Sequence, residues 1–340
     1  MFARRTTVLL FAGVFAFLHH DLAAQTQPRI RPNYGQGQTG QGQTSNIQRF
    51  TPQVQTQQPR QNADAQVPAG PPEGFQLTPQ QAQLVDKMLQ FWEDKTSRIK
   101  TLEGEFGRYV FDPVFGPKNA PATFTTGVIR YSAPDKGMIQ EKDLKGRGSG
   151  IYQYNEAKAK AGDKWPFEED PKAIGEHWVC DGKSVFEFSH KTKELVEIKL
   201  PPQMQGNAIA DGPLPFMFGA KAATIKERYW VREVPRANQQ APYQLELVPK
   251  RRGESYSLVR IYLDPQNFLP TEMTLYDLNK VGKSRYMFKN LKANGTKNQV
   301  VNFFGNFVSP KTPRGWTKIV KDVSKPQAPR QAQAPRQPPR

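Results

Sequence analysis

The feature that most constrains this chain is a two-residue alternation of apolar and polar side chains, repeated many times between residues 101 and 304. "LEGEFGRYVF" (102–111), "TFTTGVIRYS" (123–132) and "GMIQEK" (137–142) show it first. "HWVC", "SVFEFS", "ELVEIK", "ERYWVREV", "YQLELV", "YSLVRIYL", "TEMTLYDL", "SRYMFKNLK" and "NQVVNFF" continue it. A period of two is that of a strand with one face buried. Short turn-forming stretches separate the runs: Asp181-Gly182, Pro249 to Gly253, Asp264-Pro265-Gln266-Asn267 and Asn279 to Gly282. Such links are too short for parallel crossovers, so the pairing is expected to be antiparallel.

A single helix is expected before the strands. Thr78 is a good N-cap, Pro79 suits the first helical position, and Gln81 completes a capping box. Leu84, Met88 and Trp92 follow at four-residue spacing, flanked by Val85 and Leu89, which makes one apolar stripe ending near Ile99. A second short helix is expected within "DGPLPFMFGAKAATIKERY" (211–229). Residues 143–175 read as a long polar excursion with Tyr152, Tyr154, Trp165 and Phe167 embedded in it. The fold class is therefore α+β: one large curled antiparallel sheet of about ten or eleven strands, a half-open barrel with a helix on its concave face.

The ends of the chain place it. Arg4 and Arg5 precede an apolar run, Val8 to Leu18, that is too short to span a bilayer, and Leu22-Ala23-Ala24 offers a cleavage site. Residues 1–24 read as a signal peptide, and the mature chain is expected to be periplasmic or otherwise exported, soluble, without a transmembrane span. Residues 25–75 are a Gln/Pro/Gly-rich linker and 323–340 a basic Pro-rich tail with Ala-Pro-Arg-Gln at 328–331 and 334–337; neither carries enough apolar residues to fold. The remaining stretch, 76–322, is the length of one domain.

A formal charge of +17 would suggest nucleic acid in a cytosolic protein. Export redirects that expectation to anionic envelope surfaces: headgroups, lipopolysaccharide or acidic wall polymers. The single cysteine, Cys180, excludes an internal disulfide. His177 and Cys180 are three apart on one strand and point to opposite faces, so they cannot pair as base and nucleophile. "FEEDP" (167–171) lacks the spacing of a calcium loop, and "GRGSG" (146–150) lacks the Lys-Ser/Thr of a phosphate loop. No catalytic residue, metal ligand or cofactor site is selected, and a non-enzymatic binding function is expected.

The order of segments from Leu84 to Asp322 resembles the periplasmic outer-membrane lipoprotein carrier (LolA-like) superfamily. "IKTLEGEFGRYV" is similar to its helix-to-strand entry, "TTGVIRYSAPDKGMIQ" to its first hairpin, and "VCDGKSVFEFSHKTKELVEIKL" to its central hairpin. "PLPFMFG", "YQLELVPK" and "LVRIYLDPQNFLPTEMTLYDLNKVGKSRYMFKNLKAN" follow in the family's order. The Gln/Pro-rich ends resemble those of planctomycete-type exported proteins with a related domain. Ala133 stands before Pro134 where the family has an arginine. The resemblance implies a monomeric carrier or sensor that holds a lipid or lipoprotein acyl chain between sheet and helix. The candidate lining is Phe106, Ile129, Trp178, Phe186, Phe188, Leu245, Leu258 and Tyr276 on the strands, with Met88 and Trp92 on the helix. The alternative is an envelope module whose barrel is filled by its own side chains and which binds anionic polymers through its basic surface and tails.

Overall fold

The computed structural model describes residues 70–202, 205–206, 221–250, 254, 256–295, 307 and 309–322. The signal peptide, most of the linker, the tail, the "NQVVNFF" run and the first part of the 211–229 segment lie outside them.

Helix α1 (Pro79–Thr96) begins as its sequence dictates. The Thr78 hydroxyl accepts from the Gln81 backbone N–H, and the Gln81 side chain accepts in return from the Thr78 N–H at 2.9 Å. Its buried residues are Val85, Met88, Leu89, Trp92 and Thr96. After it come β1 (Thr101–Phe111), β2 (Thr123–Ser132), β3 (Lys136–Glu141), β4 (Ile151–Tyr154), α2 (Glu156–Lys160), β5 (Phe167–Glu169), β6 (His177–Cys180), β7 (Ser184–Ser189) and β8 (Glu194–Lys199). Then follow α3 (Ala222–Arg228), β9 (Tyr229–Val234), β10 (Tyr243–Pro249), β11 (Leu258–Leu263), β12 (Pro270–Tyr276), β13 (Lys283–Ala293) and β14 (Thr317–Asp322).

All the strands belong to one 14-stranded sheet, in the order β14-β8-β7-β6-β3-β2-β1-β13-β12-β11-β10-β9, with β4 on the first half of β2 and β5 on β4. Three features differ from the sequence expectation. The sheet has more strands than ten or eleven, partly because the 143–175 excursion contains β4, β5 and α2 rather than an irregular loop. The pairing is antiparallel except at one edge, where β14 joins β8 in parallel. A parallel partner requires a long return, and the chain from Leu200 to Trp316 supplies it. The β14 segment "TKIVKD" alternates too weakly to announce itself, because Thr317, Lys318, Val320 and Lys321 remain exposed at an edge.

The path from β14 to β9 would be about 50 Å wide if flat, at roughly 4.8 Å per strand. A helix with its side chains covers only about 10–12 Å. Yet residues from β8 (Val196, Ile198), through β1 and β2 (Leu102, Phe106, Ile129), to β9 (Val231) share one buried cluster with α1. The sheet therefore curls around the helix, and its two edges, β14 and β9, do not meet. This open sheet with a helix on its inner face is the half-open barrel that the order of segments implies.

Removing the cap tests how α1 is held. Thr78→Ala should cost about 1 kcal/mol, read as a lowered denaturant midpoint, and should accelerate hydrogen exchange in the first turns of α1 before any strand.

Candidate functional site: the inner face of the sheet

Register decides which side chains face α1. On β1, Leu102 and Phe106 point inward; their partners Tyr131 and Phe288 point the same way. Ile129, Ile139 and Trp178 lie side by side across β2, β3 and β6. On the other limb, Leu245, Ile261 and Met273 form a matching row across β10, β11 and β12. With Val85, Met88, Leu89 and Trp92 from the helix, these residues are buried into one continuous apolar surface.

Six of the ten residues expected in the lining meet there: Met88, Trp92, Phe106, Ile129, Trp178 and Leu245. The other four face away, and their assignment is corrected. Phe186 is paired with Val179, and Phe188 with Leu195, which puts both rings on the outer face. There they belong to a second cluster of Met138, Val179, Phe186, Leu195 and Phe307, with Phe188 and Trp316 packed against it. The inward residues of β7 are the lighter Val185 and Glu187, because Glu187 is paired with Trp178. Leu258 and Tyr276 are paired with each other on the outer face, where the Tyr276 hydroxyl accepts from Arg260 Nη1 at 3.0 Å. Their neighbours Val259 and Leu275 take the inner positions.

The apolar lining stops at a buried charge cluster that sequence reasoning did not find. Arg108, on the inner face of β1, donates from Nη2 to Glu141 Oε1 at 2.7 Å and from Nη1 to Glu176 Oε1 at 3.2 Å. Glu141 also accepts the Glu176 backbone N–H at 3.0 Å. Glu141 ends β3 and Glu176 precedes β6, so the cluster ties together the two ends of the 142–175 excursion. Tyr286 lies directly across from Arg108 on β13. Burial opposes the Arg108 charge, but Tyr286, Glu141 and Glu176 together hold the guanidinium charged. Burial pushes the Glu141 carboxyl up to about 7; Arg108 pulls it down and Glu176 pushes it further up. A signal existed in the alternation of β1, where Arg108 occupies an inward position two residues after Phe106.

Cys180 and His177 lie on opposite faces, as their spacing requires. The Cys180 thiol is buried in the inner cluster, donates to the Asp135 carbonyl at 3.3 Å, and is pushed by burial up to about 12. His177 stacks on Phe188 with ring centroids 4.2 Å apart on the outer face, and burial lowers it to about 4, with smaller pushes from His190 and Lys142. A thiol held protonated, facing away from the nearest imidazole, is a packing residue. The acidic and glycine-rich motifs of the excursion serve its own folding: Glu169 Oε1 accepts from the Gly150 N–H at 3.0 Å and the Ser149 hydroxyl at 3.3 Å. Among the described residues, no three His, Cys, Asp or Glu side chains converge as metal ligands would. No helix among them is long and apolar enough to cross a membrane. Arg130, the nearest arginine to Pro134, pairs with Glu103 at 3.0 Å on the outer face.

A hollow of about 980 Å³ opens beside the lining, between the first half of α1 and β9, which ends the sheet among the described residues. Leu77, Leu84, Val85, Arg232 and Arg236 are among its walls. A smaller one of about 230 Å³ continues along the same edge past Phe75, Leu77, Val85, Tyr229 and Val231.

No family model matches the chain, and no curated protein matches it. Several solved structures are similar in outline. An uncharacterized conserved protein from Thermus thermophilus is 8% identical, with 71% of this chain and 99% of that one covered and a TM-score of 0.36. A LolA superfamily protein from Nitrosomonas europaea is 10% identical over 67% of this chain and 98% of its own, with a TM-score of 0.31. The MucA/MucB complex of Pseudomonas aeruginosa is 12% identical over 64% of this chain and 60% of that one, with a TM-score of 0.34. The likeness is one of strand arrangement and carries no activity with it.

Glu141 and His177 should give this protein two opposed acid responses. Folded Glu141 keeps its proton up to about pH 7, while the unfolded chain releases it near 4.5, so its contribution falls as pH rises through that window. Folded His177 stays neutral down to about pH 4, while the unfolded chain protonates near 6.5, so its contribution is lost as pH falls. Denaturation midpoints measured across this range should show a steeper acid loss for Glu141→Gln than for the parent, and a shallower one for His177→Phe.

Proposed function

We propose that this is an exported, non-enzymatic carrier or sensor that holds an acyl chain, free or on a lipidated protein, between α1 and the inner face of the sheet. One observation carries the reading. The inner face carries a continuous apolar surface drawn from both limbs, and among the described residues α1, with Ile225 of α3 beside it, closes it. The polar ties of that helix to α3 are slight: the Ala222 N–H donates to Glu93 Oε2 at 2.8 Å, and Lys226 pairs with Asp86 at 2.6 Å in solvent. An exposed ion pair of this kind contributes little.

The energetics make exchange feasible. Burying Val85, Met88, Leu89 and Trp92 contributes roughly 1.5–3 kcal/mol each. A sixteen-carbon chain gains about 0.8 kcal/mol per buried CH₂, on the order of 10 kcal/mol in all. The two sums are similar, so an acyl chain can replace the contacts of α1 without a large net cost. The hollow beside β9 gives the chain an entry next to Leu84 and Val85.

A second reading is favoured by the completeness of the packing. The lining side chains are all buried, so the face is closed in this state. A permanently filled barrel would leave envelope binding to the basic surface and tails.

Tryptophan fluorescence separates the two. Trp92 and Trp178 are buried in the inner cluster, whereas Trp165, Trp230 and Trp316 are not part of it. A fatty acid brominated along its chain should quench the protein, and Trp92→Phe/Trp178→Phe should remove most of that quenching. Quenching that survives the double substitution, or none at all, would sink the acyl-binding reading.

A further inference from the structure

Two turns meet at one end of the sheet. The first, 112–116, follows β1; the second, 277–282, joins β12 to β13. Each is fixed by its leading aspartate. Asp112 Oδ1 accepts from the Val114 and Phe115 N–H groups at 2.8 and 2.9 Å. Asp277 accepts from the Val281 and Gly282 N–H groups, both at 2.9 Å. A Cβ added to Gly282 would lie 3.2 Å from Pro113 Cδ, so the turns are in contact.

These rigid turns hold their apolar side chains in solvent. Val114, Leu278, Phe115 and Val281 are 71, 66, 64 and 62% exposed, the four most exposed large apolar side chains among the described residues. Scattered exposure of this kind is ordinary, but four such side chains gathered on two touching turns form a patch. Lysines surround it. Lys280 is exposed on the second turn and Lys118 two residues past the first, and Lys283 follows with its ammonium 4.7 Å from the Phe111 ring. Among the described residues none of the three has a carboxylate partner, and both turn aspartates are engaged by backbone N–H groups.

Behind the lysines stands an aromatic layer on the outer face. Tyr109, two residues before the end of β1, packs on Phe124 at 4.6 Å, and Trp165 meets Phe124 edge-on at 5.0 Å. Tyr152 adjoins both Phe124 and Trp165. Trp165 remains 43% exposed. Apolar side chains and cations therefore share these two turns, with Trp and Tyr on the adjoining outer face. The headgroup zone of an anionic bilayer offers a counterpart to each: the acyl boundary for the apolar side chains, phosphates for the lysines, and the interfacial level that Trp and Tyr favour.

We propose that this end of the sheet seats in the headgroup layer of an anionic phospholipid bilayer, with Val114, Phe115, Leu278 and Val281 reaching the acyl boundary. The site uses neither α1 nor the inner face, so it stands independently of the acyl-binding reading. The occupant is a lipid surface rather than a folded partner because the patch consists of four exposed apolar side chains at two turns, beside lysines that lack carboxylate partners and match lipid phosphates.

The buried Cys180 allows a local test. In the full-length chain, Val114→Cys labelled with a polarity-sensitive dye reports that turn alone. Vesicles of phosphatidylglycerol with phosphatidylethanolamine should brighten and blue-shift the dye severalfold, less so in high salt. Vesicles of phosphatidylcholine should not, and the same dye on Val320→Cys, on β14, should stay unchanged. Substituting Val114, Phe115, Leu278 and Val281 together by Ser, all exposed positions, should lower vesicle binding at least tenfold with an unchanged circular dichroism spectrum. A silent dye at position 114, equal signals at 114 and 320, or full binding by the four-serine chain would overturn the proposal. The last two outcomes would assign adsorption to the tails or the signal segment.

Discussion

The structure depends on one mismatch of widths. The inner face of the sheet is apolar across its whole breadth, while a single helix is too narrow to cover it flat. Curling is the solution: β8 and β9, far apart in strand order, bring Ile198 and Val231 into the same cluster around Leu89 and Trp92. Most of what is distinctive about the molecule follows. The edges stay open because the curl ends when the face is buried, not when the strands meet. The helix is central to stability although it is only 18 residues long.

The Arg108 cluster is the polar counterpart of that apolar closure. A buried ion pair returns little net stability, since desolvation offsets its attraction, but losing one partner strands the other. Its contribution here is directional. Arg108 fixes Glu141 at the end of β3 and Glu176 before β6, so the intervening excursion leaves and returns at defined points. That lets β4 pair with Phe124 on β2 and place Tyr152 and Trp165 against the Phe124 ring, on which Tyr109 also packs. A charged residue inside the sheet thus positions the aromatic layer on its outside.

Much of this was legible in the sequence. The α1 cap, its stripe apart from the exposed Leu84, and nearly every long strand follow from local pattern, because each element satisfies its backbone and buries its face by rules that act over a few residues. What local pattern does not contain is which face of each strand turns inward. In "SVFEFS" the heavier residues, Phe186 and Phe188, point outward because Phe307 and Trp316 cover them from more than a hundred residues away. Leu258 and Val259 are equally apolar neighbours, and only the register of β11 with β12 separates them. The parallel arrival of β14 and the strands within the excursion are likewise fixed by distant partners. Phe106 and Leu245 are legible because the acidic neighbours Glu105 and Glu246 mark the opposite face of their strands.

The two ends of the inner face are closed by different kinds of force, and this sets where the fold can open. At the Arg108 end, closure rests on charged hydrogen bonds in a buried setting, which an apolar ligand cannot replace. At the α1–β9 end, closure rests on apolar contacts that any apolar surface can replace, backed among the described residues by the Ala222–Glu93 hydrogen bond and the solvent-exposed Asp86–Lys226 ion pair. Strand β9, which ends the sheet among the described residues, and the hollow beside Leu84 and Val85 lie at that same end. On the proposed carrier reading, opening would be directed to the α1–β9 side, with the helix lifting while the Arg108 cluster keeps β1, β3 and β6 in register. On the acyl-binding reading proposed above, a chain entering there would meet Leu84 and Val85 first and the buried charges last, with the polar cluster as the floor of the site.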